Sequence, residues 1–212
     1  EVIVLLLIQL GGLGILTLSS VIILLITKKI SFYTKRLVSE GLNHEAKIDL
    51  YSHIKKVVFV VLLIEAIGAA LLFFVFVGQY PWYKALYYGI FHSVSAFCNA
   101  GISLFHHSLE GYTTHWGMNI IISLLVIFGG LGFTAIIELY EYLIGKRRKI
   151  SVNSKFSTLI TLLLLGVGTF LFFILEYRYT GELTDGSVQQ RLLVSFFHSA
   201  SLRTAGFSTV SI

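Results

Sequence analysis

Apolar and polar positions fall in long blocks along the chain. Residues 2–26 are almost continuously apolar. At about 1.5 Å per residue this run crosses a roughly 30 Å hydrocarbon core with some tilt. A polar, basic loop follows at 28–56, where Gly41 and Asn43 mark a break. Residues 57–77 form a second span, interrupted only by Glu65, and 78–81 read as a turn. Residues 82–97 can be helical, but Lys84, His92, Ser93 and Ser95 make the stretch too polar, and slightly too short, for a lipid-facing span. Polar residues fill 99–116. A third span is expected at 118–137, a basic loop at 138–155, a fourth span at 156–175, a polar stretch at 176–191 and a second partly polar helix at 188–202.

Composition fits a membrane protein. Hydrophobic residues make up 56% and charged residues only 13%, against about 25% charge in soluble domains. Mean hydropathy is +0.84. The single cysteine, Cys98, cannot build an internal disulfide framework, and no Cys/His spacing matches a zinc site. The net charge of +5 suggests nucleic acid only until its placement is considered. If 82–102 enters and leaves on one side, both basic loops share the other side. That side then holds twelve of the sixteen Lys and Arg residues, seven in the first loop and five in the second. The positive-inside rule favours this topology, with 82–102 re-entrant from the outer side. Backbone polar groups at that depth must be shielded by protein or line a watery path. Trp82, Tyr83, Tyr87 and Tyr88 read as an interfacial aromatic belt. The chain is expected to be a fragment of a longer protein, the alternative being a complete, very short membrane protein.

The order is periodic. Gly-Gly-Leu-Gly occurs at 11–14 and 129–132, Phe-His-Ser at 91–93 and 197–199, and Ala-Gly at 100–101 and 205–206. The unit is span, hairpin, span, repeated in parallel. It gives four full spans plus two re-entrant hairpins: the end of one unit at 1–55, a whole unit at 56–155, and a third up to its loop at 156–212. One misfit stands out. His92 and Gly101 are nine apart, while His198 and Gly206 are eight apart. Such a unit, set around an axis, is how cation channels build a filter. Backbone carbonyls replace the ion's hydration shell, and glycine permits the dihedrals that aim them.

Several residues carry two readings. Gly-Gly-Leu-Gly sits mid-span with no strand before it, which rejects a phosphate loop and leaves close helix packing or a hinge. Glu65 lies near mid-bilayer, where a bare carboxylate costs about 2.5–3.5 kcal/mol, so it should face protein. Arg203 beside a cation path would repel the ion, so it is expected to point away and pair with Glu65 or Glu176. His92 and His198 are expected to hydrogen-bond within the protein, and Ser93 and Ser95 to serve helix packing. The basic loops determine topology and could also dock a cytosolic partner or anionic lipid.

The chain resembles the membrane subunit of the Ktr/Trk/HKT superfamily of potassium transporters, nearest the bacterial Ktr type. The resemblance is carried by Gly11-Gly12-Leu13-Gly14, Ile64-Glu65, 91–97 with Asn99-Ala100-Gly101, 129–133, 174–177, and Arg203-Thr204-Ala205-Gly206-Phe207. It implies four units around one pore, with K⁺ at Gly101 and Gly206 and carbonyls from Asn99, Ala100, Thr204 and Ala205. Cys98, Ile102 and Phe207 would flank the filter, with support from Glu65, Arg203 and Glu176. Cys98 departs from the family, which often has Asn there. The transported ion would be K⁺, or Na⁺ in some members, with no organic cofactor. The resemblance further implies a homodimer in the plasma membrane with a cytosolic nucleotide-binding ring. The basic loops would be cytoplasmic and the filter loops outside. No nucleic-acid partner and no enzyme activity are expected. The alternatives are a secondary cation transporter coupled to Na⁺ or H⁺, and an intramembrane enzyme using His92 or Glu65.

Overall fold

The computed structural model describes residues 1–12, 50–146, 148–179 and 187–209. Every regular element among them is helical: α1 (Val2–Gly12), α2 (Leu50–Phe76), α3 (Trp82–Phe97), α4 (Trp116–Gly130), α5 (Phe133–Leu143), α6 (Val152–Tyr179) and α7 (Val188–Thr204), with a 3-10 turn at Glu110–Tyr112. Two helices are long and apolar enough to cross a membrane, at Lys56–Phe76 and Val152–Leu175. They fall on the expected second and fourth spans. The expected first span runs past α1 into residues outside those described, as does the basic loop at 28–56 up to residue 49.

The expected third span is not one straight helix. It breaks between α4 and α5, which are bent by 108°. The physical reason lies in Gly-Gly-Leu-Gly. Leu131 closes α4 through a bond from its N–H to the Phe128 carbonyl (3.3 Å), and Gly132 then takes φ +85°, which ends right-handed helix. The Leu131 carbonyl, left without a helical partner, accepts from Ser157 Oγ of α6 at 3.1 Å. Glu138 of α5 accepts from the Ser151 N–H at 2.8 Å, joining α5 to the start of α6.

α3 leans on α2 through glycine. A Cβ at Gly89 would lie 2.8 Å from the Ala69 carbonyl oxygen, and one at Gly68 would lie 2.5 Å from Ser93 Oγ. This closeness buries 91–97 completely, so His92, Ser93 and Ser95 face protein and not lipid. α7 opens with a capping box between Ser187 and Gln190 and lies against α4 and α6.

The main core joins α2, α4, α5 and the ends of α3 and α7. On the side where α2 ends, Phe76 is fully buried and meets the rings of Tyr80, Tyr88, His92, Phe105 and Tyr112 at 5.7–6.4 Å. The aromatic belt therefore divides. Trp82 and Tyr83 are exposed, whereas Tyr88 turns inward onto Phe76. A smaller cluster packs Ile8 of α1 on Phe91 and Val94 of α3.

Candidate functional site

The residues that follow α3 and α7 form two loops built alike. In each, a histidine on the helix bonds its own preceding turn: His92 Nδ1 to the Tyr88 carbonyl (2.8 Å), His198 Nδ1 to the Val194 carbonyl (3.0 Å). A carbonyl only accepts, so both Nδ1 atoms carry the proton. The next residue anchors the helix to the preceding long helix. Ser93 Oγ donates to the Glu65 carbonyl (2.7 Å) and Ser199 Oγ to the Leu165 carbonyl (3.0 Å). Each serine occupies the space a side chain would take on a glycine of that long helix, Gly68 or Gly168. Glu65 and Leu165 thus hold matching positions one hundred residues apart.

Both loops turn through left-handed backbone. Gly101 has φ +67° and Gly206 has φ +80°. Asn99 also lies at φ +55°, an uncommon conformation for a residue with a side chain, and it has no counterpart in the second loop. The loops touch, since a Cβ at Gly101 would overlap the Ala205 carbonyl oxygen. Asn99 ties them together. In the amide orientation that satisfies both its atoms, its nitrogen reaches Thr204 Oγ1 at 2.9 Å and the Val126 carbonyl at 3.3 Å, and its oxygen accepts from the Gly130 N–H at 3.3 Å. Beyond the glycines the two segments stay joined. The Leu109 N–H donates to the Ser208 carbonyl (2.9 Å), the Ser208 N–H to Ser108 Oγ (3.1 Å), and Thr113 Oγ1 to the Thr209 carbonyl.

Behind the first loop lies a polar cluster. Glu65 is buried and accepts from Gln9 Nε2 at 3.0 and 3.3 Å and from Cys98 Sγ at 3.8 Å. An ion pair with Arg203 is therefore not formed: Gln9 and Cys98 take the carboxylate, and Arg203 lies over Gly130 of α4. The side chain of Glu176 lies outside the described residues. Gly12, Gly129 and Gly130 pack closely, as expected of small residues at helix contacts, and they do so at the C-terminal ends of α3 and α7, where the loops begin. A Cβ at Gly12 would overlap Cys98 Sγ, one at Gly129 the Phe97 carbonyl oxygen, and one at Gly130 the Arg203 guanidinium. Counted back from the glycines, Cys98 and Arg203 are equivalent positions. Gly12 and Gly130 thus meet equivalent positions of the two loops, Cys98 and Arg203. Ala205 and Phe207 are buried, while Ile102 and Thr204 are exposed and Ala100 is half-buried. Among the described residues no three His, Cys, Asp or Glu side chains converge to hold a metal ion.

A model of the cation transport protein TrkH matches residues 2–212. The chain belongs to the TrkH family of cation transport proteins. It is similar to the Ktr system potassium uptake protein B of Vibrio alginolyticus, 36% identical over 215 residues, which cover 100% of this chain and 47% of that protein. The potassium/sodium uptake protein NtpJ of Enterococcus hirae is 35% identical over 207 residues, covering 96% of the chain and 45% of that protein. The Ktr system potassium uptake protein B of Bacillus subtilis is 35% identical over 205 residues, with the same coverage of each. The chain spans about half the length of the curated relatives it matches. The family and these relatives are transporters, which removes the intramembrane-enzyme alternative.

Two features of this TrkH-family site escape sequence reading. Gln9 is a lone polar residue in an apolar run, and nothing local marks it as the partner of a residue fifty-six positions away. Ser201 recurs with Ser95 four residues after the Phe of Phe-His-Ser-x-Ser, a signal present at 91–95 and 197–201.

Proposed function

We propose that the chain forms part of the membrane pore subunit of a K⁺ uptake system of the Ktr/Trk type. The loops after α3 and α7 then make two walls of one carbonyl-lined filter, with K⁺ passing at Gly101 and Gly206. Asn99, Ala100, Thr204 and Ala205 supply neighbouring main-chain oxygens. The observation that carries this reading is the meeting of two like-built loops, each turning at a glycine of positive φ, Gly101 against Ala205. The relatives named as potassium uptake proteins support K⁺ as the cargo, and the one named for potassium and sodium supports Na⁺ as a second cation. Glu65, with Gln9 and Cys98, backs the first loop, and Arg203 braces the second against α4. Each of α3 and α7 dips in from the outer side and returns. The units divide near residues 56 and 156. The basic loops face the cytoplasm, where a nucleotide-binding ring docks on a homodimer. A coupled transporter is the second reading, favoured by the break between α4 and α5, since discontinuous spans can build ion sites.

The test is K⁺ uptake at low external K⁺ in cells lacking their own uptake systems, using the whole protein at matched membrane abundance. Gly101→Ser should abolish uptake or raise the apparent K⁺ requirement. Unchanged uptake and unchanged Na⁺ discrimination would move the ion path elsewhere. Loss of uptake on collapsing a Na⁺ or H⁺ gradient at constant membrane potential would favour coupling.

A further inference from the structure

Serine hydroxyls on helices ordinarily bond the carbonyl one turn back. The threonines of α6 do so: Thr158 Oγ1 donates to the Ser154 carbonyl at 2.8 Å and Thr169 Oγ1 to the Leu165 carbonyl at 2.6 Å. Ser95 and Ser201 do not. Ser95 Oγ donates to the Ile102 carbonyl at 2.7 Å and accepts from the Ile102 N–H at 3.0 Å. Ser201 Oγ donates to the Phe207 carbonyl at 2.6 Å. Both serines are fully buried. Ile102 and Phe207 are the residues directly after Gly101 and Gly206. Each serine also holds the loop with its own carbonyl, which accepts from the Ala100 N–H (2.9 Å) or the Gly206 N–H (3.0 Å).

The hydroxyl reaches seven residues ahead in the first loop and six in the second. That one-residue difference matches the unequal spacings from histidine to glycine. Asn99, at φ +55°, gives the longer loop a turn the shorter one lacks. The hydroxyl contact is thus kept although the loops differ in length, as expected of a contact tied to the glycine and not to helix packing.

We propose that Ser95 and Ser201 are positioning residues for ion selection. Each fixes the residue after the loop glycine and turns that residue's carbonyl into the protein. The row of oxygens facing the ion then ends at Gly101 and Gly206, which excludes Ile102 and Phe207 from the ion's shell. A carbonyl directed at a buried hydroxyl on its own helix is held against rotation, and cation selection depends on the number and placement of such dipoles. The proposal rests on the filter reading above.

The experiment measures K⁺ uptake by the whole protein against external K⁺, with and without competing Na⁺. Ser95→Ala, Ser201→Ala and Gly101→Ser are compared at matched membrane abundance. Losing the hydroxyl should raise the apparent KM for K⁺ and strengthen Na⁺ inhibition by about three- to thirtyfold. A role in helix packing alone would lower the amount of active protein and leave both quantities unmoved. If both stay unmoved in the alanine variants while Gly101→Ser shifts them, the clamp is overturned and the filter reading stands. If Gly101→Ser shifts neither, both fall. Should an alanine variant fail to reach the membrane, Ser95→Cys or Ser201→Cys keeps the size with a much weaker donor. The same shift in it sustains the proposal, and its absence overturns it.

Discussion

The loop after α3 and the loop after α7 share their fastenings but not their backing. Histidine to the preceding turn, serine to the long helix, serine to the residue beyond the glycine, and the glycine itself recur in both. Behind the first loop stands a buried carboxylate, held by Gln9 and Cys98. At the matching positions of the second stand Leu165 and Arg203. The residue after the glycine also differs: Ile102 is 42% exposed and Phe207 only 1%. The main chain of a repeated unit is held in one way, while the side chains behind it are free to diverge.

The largest effect that would sharpen this comparison is steric. Gly101 and Gly206 both need left-handed backbone, which costs an L-residue about 1–2 kcal/mol. Of the two, only at Gly101 would a Cβ also overlap backbone, since no described residue lies within 4 Å of one at Gly206. Gly101→Ala should therefore cost about 3 kcal/mol or more and Gly206→Ala only about 1–2 kcal/mol. Thermal unfolding of the purified protein in detergent checks this, and equal shifts in the two variants would make the loops equivalent after all.

The next effect concerns the backing. Glu65→Leu gives the first loop the residue found at the matching place behind the second. It also strips Gln9 of its acceptor, which should cost about 1–3 kcal/mol. Gln9→Ile, which copies Ile127 at the matching place in the second Gly-Gly helix, should recover part of that loss in the double variant. Strictly additive losses would mean that the carboxylate and the amide do not act together.

The smallest effect is at the thiol. Gly12→Ala should destabilise because its methyl would overlap Cys98 Sγ, and Cys98→Ala should relieve that overlap. Alone, Cys98→Ala should change stability by about 1 kcal/mol or less, since it removes one long hydrogen bond to sulfur. Failure of Cys98→Ala to rescue Gly12→Ala would separate α1 from the first loop.

Much of the site was legible because its signals are local. Phe-His-Ser and Ala-Gly mark helix ends and turns wherever they occur, and both glycines lie where the recurrence puts them. Burial of Glu65 follows from the cost of charge in lipid. Its partners did not follow: Gln9 and Cys98 reach it from two other segments, and Arg203 rests on Gly130 instead. The third span misled for a related reason. Residues 118–137 are largely apolar, and hydropathy cannot distinguish a straight helix from one broken at Leu131-Gly132 whose freed carbonyl is met by Ser157.

By itself, the sequence determined that this is a helical membrane protein of the TrkH family, made of repeated segments with a glycine turn after each short polar helix. Family membership rests on the motifs and the family match, and the other properties follow from block hydropathy, charge placement and local turn chemistry. Tertiary structure alone decided that the two turns meet at Gly101 and Ala205, and that Gly129-Gly130 packs on the ends of α3 and α7 while ending α4. It also decided that Ser95 and Ser201 hold the residues beyond the glycines. Each of these depends on which polar groups packing brings within about 3 Å, a distance that residue type and local spacing do not set.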